Sequence, residues 1–272
     1  MRIMGYNIYD GGVGRIDPIA EVIRQAAPDL VILPEACDRA EFEKLAGRLG
    51  MDSFLATHPH KPDHGSVGLL ARHPIREVVN LTPLDSRLTR AALQATIISK
   101  DGQPFTVIGL HLHARETFAD EAIRINEVAA IMEFARPLRD RQVAFALVGD
   151  FNAHHPDQIV DIPRTRPKTR KRLAGQDNQL PRQVIQTLLD AGYLDAHALL
   201  YAPDQFQISL GGDPTAGVTG GGGADGSGGG LRVDYVLVPP YLRSNVVRCD
   251  YPRGGLARFA SDHFPVVADL NY

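Results

Sequence analysis

The chain has 272 residues, 44% of them hydrophobic, 22% charged and 7% aromatic, proportions of an ordinary globular protein that exclude disordered and fibrous architectures. Its formal net charge of −3 supplies no global attraction to polyanions, so any contact with nucleic acid or phospholipid must come from a local basic patch. Cys37 and Cys249 lie in unrelated contexts, which excludes a disulfide framework; without an apolar run near the roughly 18 residues of a membrane span, or a signal-peptide core, a cytoplasmic location is expected.

In chain order, the loose alternation of Arg2 to Ile8 predicts a strand that runs into polar Asn7 and Asp10. Asp17 is expected to cap a helix with Pro18 in its first turn and Ile19, Val22 and Ile23 on one face, closed by Pro28 and Asp29. Leu30 to Leu33 reads as a buried strand that delivers Glu35 at its C-terminal end. Asp38 caps a second helix through Leu49, and Gly50 terminates it. Val67–Ala71, Ile75–Leu81, Ala92–Ile98 and Pro104–Leu112 predict strands, and Thr117–Leu138 has the apolar spacing of a long amphipathic helix. Val143–Val148 reads as a strand ending at Gly149 and Asp150, Pro181–Ala191 as a helix stopped by Gly192, and Val233–Val238, Asn245–Asp250 and Pro265–Leu270 as strands. Strands and helices alternate, but hairpin-like pairs also occur, which predicts an α/β (α+β) fold with mixed sheets flanked by helices, in one domain spanning residues 1–272.

Two segments break this pattern and read as long loops, at about 156–182 and 209–231; loops of such length are often functional. The first carries Arg164, Arg166, Lys168, Arg170, Lys171 and Arg172, and its interruption by Pro163 and Pro167 argues for a projecting loop rather than a helix. It is either solvated or a phosphate contact, with Arg170, Lys171 and Arg172 the candidate substrate-binding cations. The second is dominated by glycine; Gly221, Gly223 and Gly226 fit a dinucleotide-binding pattern, but they precede a strand instead of following one into a helix. His58, His60 and His64 lie in a proline-rich loop and read as solvated rather than metal-binding. His113, His154 and His155 lie near the motifs and read as peripheral to them. No lysine-containing phosphate loop or nucleophile-elbow serine is present.

Polar residues gather at the C-terminal ends of apolar strands: Asn7, Glu35, His111, Asp150 with Asn152, Asp234, and Asp262 with His263. In open α/β architectures that rim is where sites form. One such residue is ordinarily a surface group or a helix cap, but a buried strand has no structural need to end in carboxylates so repeatedly.

From Tyr6-Asn7-Ile8 and Leu33-Pro34-Glu35 through Ser66-Val67-Gly68-Leu69-Leu70-Ala71-Arg72, Gly109-Leu110-His111-Leu112, Gly149-Asp150-Phe151-Asn152 and Arg232-Val233-Asp234-Tyr235 to Ser261-Asp262-His263, nearly the whole chain resembles the endonuclease/exonuclease/phosphatase (DNase I-like) superfamily. The resemblance implies a four-layer sandwich of two mixed β-sheets with helices outside. It also implies a metal-dependent phosphoesterase that hydrolyses a P–O bond by in-line attack of water. A nuclease acting on DNA or RNA is the leading expectation. A phosphatase or phosphodiesterase for lipid or inositol phosphates is the same-family alternative, and a non-catalytic binding module the different-class one.

By that resemblance Glu35, helped by Asn7 and Asp262, holds Mg²⁺ or Mn²⁺, hard cations that suit carboxylate and amide oxygens. Asp150 orients and deprotonates the attacking water, and the Asn152 amide holds water or phosphate in line. His263 donates to a non-bridging phosphate oxygen while Asp234 accepts from its other ring nitrogen. His111 protonates the leaving oxygen or touches the phosphate, but the glutamate that orients this histidine in DNase I-like nucleases is missing near His64 and Gly65, which leaves its partner open. Tyr9 stands where exonuclease III-like enzymes carry a metal-supporting aspartate, with Asp10 one position later. Leu231 replaces the tryptophan that walls their abasic pocket, in a chain with no tryptophan, so a broader nuclease is expected, acting as a monomer.

Overall fold

A computed structural model describes residues 1–61, 65–210 and 231–272; His64 and the glycines expected in the second loop lie outside them. Two six-stranded sheets face each other. One runs in the order β11 (Val246–Asp250), β12 (Val266–Leu270), β1 (Arg2–Gly5), β2 (Leu30–Pro34), β4 (Val67–Ala71), β3 (Asp52–Ala56). The other runs β5 (Ile75–Asn80), β6 (Ala92–Ile98), β7 (Pro104–His111), β8 (Phe145–Asp150), β10 (Asp234–Val238), β9 (Leu194–Asp195). Both sheets are mixed, with β1–β2 and β7–β8 parallel and the other neighbours antiparallel. Among the described residues the helices are α1 (Ile16–Ala26), α2 (Arg39–Leu49), α3 (Phe118–Asp140), α4 (Pro167–Ala174), α5 (Gln183–Asp190) and α6 (Ala257–Ala260).

Successive strand residues point to opposite faces, and here both faces are covered. Ile3, Leu30, Ile32, Leu69, Val107, Val148 and Val236 meet between the sheets. Met4, Val31, Leu33 and Leu70 pack outward with side chains of α1, α2 and α6, and Ile108, Leu110, Phe145 and Leu147 pack outward with those of α3 and α5. Double burial explains why these strands read as unbroken apolar runs, and it yields the expected four layers. Among the described residues no helix is long and apolar enough to cross a membrane.

Two expectations are corrected and one strand was not foreseen. The stretch from Arg164 to Arg172 is not a projecting loop. A single turn at Ile162–Arg164 leads into α4, and Pro167 takes the first helical position, where its missing N–H has no intrahelical partner to lose. Thr169 and Leu173, four residues apart, turn inward and anchor the helix on the body of the protein. α1 starts at Ile16 behind Arg15, so Asp17 sits inside its first turn instead of capping it, a position still favourable to an acid. The edge strand β3 had no sequence signature, because its burial rises gradually along the strand instead of alternating.

One glycine joins fold to site. Gly149 lies in β8 with φ +143, and a Cβ built there would come 1.9 Å from the Leu110 carbonyl oxygen. Only glycine lets β8 lie this close to β7 at the point where Asp150 follows.

Candidate active site

Strand register assembles the centre of the site. His111 at the end of β7 pairs with Asp150 at the end of β8, which in turn pairs with Asp234 at the start of β10. Residues paired in register share a face, and the alternation that sends Val107, Val148 and Val236 between the sheets aims these three side chains at the same mouth. From the other sheet, the alternation of Ile3, Gly5 and Asn7 brings Asn7 to meet them. Asn7 is fully buried, and its Nδ2 donates across the gap to Asp150 Oδ2 at 3.0 Å and to Glu35 Oε1 at 3.2 Å. Glu35 follows β2 with φ 61 and accepts the Asp10 backbone N–H on Oε2 at 2.9 Å. Asp10 therefore supports Glu35 through its backbone.

Asp150 is held on both oxygens, since Oδ1 accepts the Asn152 backbone N–H at 2.8 Å. Asn152 has φ 47 and donates from Nδ2 to the Leu112 carbonyl at 2.9 Å, leaving one amide hydrogen for a ligand. His263 Nδ1 lies 2.8 Å from Asp234 Oδ2, while Nε2 stands 3.9 Å from both Asp150 Oδ2 and Asp262 Oδ1. Asp234 is itself braced: its carbonyl accepts from the Tyr251 hydroxyl at 2.7 Å, beside the buried Arg232–Asp195 pair at 2.6 Å. Ser261 Oγ donates to the Asn7 carbonyl at 2.6 Å, tying the segment that carries Asp262 and His263 to the strand end that carries Asn7.

Electrostatics separate the two titrating groups. Burial raises the Asp150 carboxyl to about 7, reinforced by Asp234 and opposed by His263. Burial disfavours the His263 imidazolium, but Asp234, Asp262 and Asp150 outweigh it and hold that group at about 10. His111 goes the other way: burial first, then the Arg90 charge and His263, push it well below the usual histidine range.

Arg90 answers the open question of the partner of His111. Its guanidinium Nη1 lies 3.1 Å from His111 Nδ1 and in closer contact with Nε2, and its stem passes over Gly65, where a Cβ would meet Arg90 Cγ at 2.8 Å. The loop is pinned by buried Glu127 of α3, which accepts from Thr89 N–H at 3.0 Å, Thr89 Oγ1 at 2.6 Å and His113 N–H at 2.8 Å. A cation lies against the ring while Asp150 Oδ2 stands 3.5 Å from His111 Nε2, and burial together with the Arg90 charge disfavours the imidazolium.

Asp262 pairs through Oδ2 with Arg166 at 3.0 Å. Of the expected substrate-binding cations, Arg170 donates to the carbonyls of Pro163 and Thr165 and Arg172 to Glu116. Arg172 lines the cleft beside Asn152 and His263, whereas Arg170 and Lys171 do not. His154 and His155 are buried outside that lining, and His113 bonds Asp120 at 3.0 Å. Sequence reasoning missed Arg90, a single arginine in polar surroundings with no pattern of its own, and noted Arg166 only within the basic stretch, not as the partner of Asp262.

Asp150, Asp234 and His263 offer ligand atoms within 4.8 Å of one another, a buried group able to hold a metal ion. Among the described residues, Asp234 Oδ1 and Asp262 Oδ1 are buried without a hydrogen-bond partner, and the Asp150 carboxyl, raised first by burial, is raised further by the neighbouring Asp234 charge. Unsatisfied buried carboxylate oxygens in a negative field fit a hard, oxygen-seeking cation.

Solved structures share the fold at low identity. A 3′ phosphatase from Neisseria bound to product DNA hairpin superposes with a TM-score of 0.73 at 20% identity, and an AP endonuclease from Archaeoglobus fulgidus with 0.72 at 19%, each covering 100% of both chains. An endonuclease/exonuclease/phosphatase from Beutenbergia cavernae reaches 0.66 at 22% identity, covering 99% of this chain and 71% of the other. No curated protein matches the sequence significantly. Residues 4–263 match the endonuclease/exonuclease/phosphatase family, and the chain belongs to that family of metal-dependent phosphoesterases.

Proposed function

We propose that the chain folds as one catalytic unit, a Mg²⁺-dependent phosphodiesterase that cleaves DNA or RNA by in-line attack of water. The observation that carries this reading is the bridge from Glu35 through Asn7 to Asp150, continued through His263 to Asp234. It sets a cation-binding side and a proton-handling side around one point. With His263 protonated and bonded to Asp234 through Nδ1, its Nε2 has no lone pair for a metal. Glu35, with Asn7 and the free Oδ1 of Asp262, is the better metal-holding set. A Mg²⁺ ion there would neutralise charge on a phosphoryl oxygen.

The remaining work falls to the protein. Asp150, fixed on both oxygens, takes a proton from water and aligns it with phosphorus. The free amide hydrogen of Asn152 holds a phosphoryl oxygen, and the His263 Nε2–H donates to another as charge builds there. His111, neutral beside Arg90, is a weak candidate for the leaving-group acid; Arg90 supplies the positive charge on that side. Support for nucleic acid comes from the Neisseria phosphatase and the Archaeoglobus endonuclease, whose fold this chain shares, and from the cationic wall that α4 adds beside the site.

The test is a panel of plasmid DNA, single-stranded RNA, an abasic duplex, sphingomyelin and inositol phosphates with purified protein and Mg²⁺. Cleavage of DNA or RNA is expected, without a special advantage for the abasic duplex because Leu231 stands where the walling tryptophan would be. Turnover of sphingomyelin or inositol phosphates alone would replace this reading with the lipid or polyol one, and no turnover at all would favour a binding module.

A further inference from the structure

We propose that the cleft next to Asn152 and His263 binds a second phosphate of the substrate, a phosphomonoester held by Arg115 and Lys168; this rests on the phosphoesterase reading above. The cleft has a volume of about 540 Å³, within the roughly 300–1,000 Å³ of small-ligand sites. Its walls are the loop after β7 and the first half of α4, with Ala114, Pro167, Leu210 and Leu231 supplying apolar surface.

Besides His263, four arginine and lysine side chains line it, and two are already paired: Arg166 with Asp262 at 3.0 Å and Arg172 with Glu116. Arg115 and Lys168 are exposed, and neither makes an ion pair or side-chain hydrogen bond with the described residues. Their placement is built in. Arg115 has φ 84, and its carbonyl accepts from Nη1 of the fully buried Arg124, which also holds the His113 carbonyl at 2.9 Å and is fixed by Glu121 at 2.7 Å. Buried Thr169 ties α4 to the same loop through Glu116 Oε1 at 3.0 Å. An apolar wall with two partnerless cations beside a phosphoester-cleaving centre matches a small organic body carrying an additional dianion.

Such a phosphate belongs either to the end of a nucleic-acid strand or to a small soluble phosphate ester. Calorimetry compares thymidine 3′,5′-bisphosphate with thymidine 5′-monophosphate, using wild type and the double variant Arg115→Ala/Lys168→Ala, a readout that does not depend on turnover. Wild type is expected to bind the bisphosphate about tenfold or more tightly, as charge-assisted contacts allow. The double variant, with unchanged thermal melting, should lose the preference and keep its affinity for the monophosphate. Displacement of the bisphosphate by a 3′-phosphorylated oligonucleotide would assign the pocket to strand ends, and displacement by an inositol bisphosphate to soluble esters. Equal affinities in wild type, or a preference that survives the double substitution, would overturn the proposal even where the substrate panel succeeds.

Discussion

Asp150→Asn is expected to lower turnover by about 10²- to 10⁴-fold, the range attributable to a positioned general base, while the protein remains folded. The substitution preserves shape but leaves one mismatch, because both Asp150 oxygens accept in the native site, from Asn7 at 3.0 Å and from Asn152 at 2.8 Å, and an amide offers only one acceptor. Its pH behaviour is the sharper readout. Asp150 must be deprotonated to accept a proton, and with its carboxyl near 7 wild-type activity should rise as pH climbs through that region. A bound cation favours the carboxylate, so the rise should move to lower pH as Mg²⁺ concentration increases. The variant should lose this limb. A variant with near-normal rates and an intact rising limb would remove Asp150 from the water-activating role.

His263→Gln is expected to cost about 10²- to 10³-fold in kcat, as removal of a donor to developing phosphoryl charge does. Asp234→Asn should reproduce the loss in weaker form, and combining the two should add little, because the residues act as one unit. The sign of the pH effect follows from charge. His263 must stay protonated, so activity should fall as pH rises through about 10. Removing the Asp234 charge lowers the His263 pKa and, because Asp234 also raises Asp150, lowers that of Asp150 as well. Both limbs of the profile should therefore shift towards acid in Asp234→Asn. A shift confined to one limb, or full additivity in the double variant, would separate the pair.

The sequence was most legible where burial is complete. β4 and β6 have the bounds expected from their apolar runs, since strands covered on both faces leave little ambiguity about where they end. β3 and the two-residue β9 lacked such a run. The basic stretch misled because prolines were counted as breakers, although Pro167 starts a helix as readily as it ends one. Among the site groups, Asn7, Glu35 and Asp150 could be picked out because a carboxylate or amide at the C-terminal end of a buried strand needs a reason to be there. Asp234 instead opens β10, and Asp262 and His263 precede β12, so these three rest on the family motifs and not on strand ends. Arg90, and the pairing of Arg166 with Asp262, could not be picked out. Their meaning depends on a tertiary neighbour, His111 in one case and Asp262 in the other, and neither proximity leaves a mark in local sequence. Gly65 is the nearest thing to a signal, because its missing side chain makes room for Arg90.

The central claim is that Glu35, with Asn7 and Asp262 on one sheet, holds a catalytic cation at the phosphoryl group on which Asp150 and His263 act. It is tested most directly by stripping the protein with chelator, verifying metal content, and following nucleic-acid cleavage as Mg²⁺ is returned to wild type and to Glu35→Gln. Activity should fall to background without metal and return with Mg²⁺, and the variant should need far more Mg²⁺ for the same rate. Undiminished cleavage by verified metal-free protein would contradict the account.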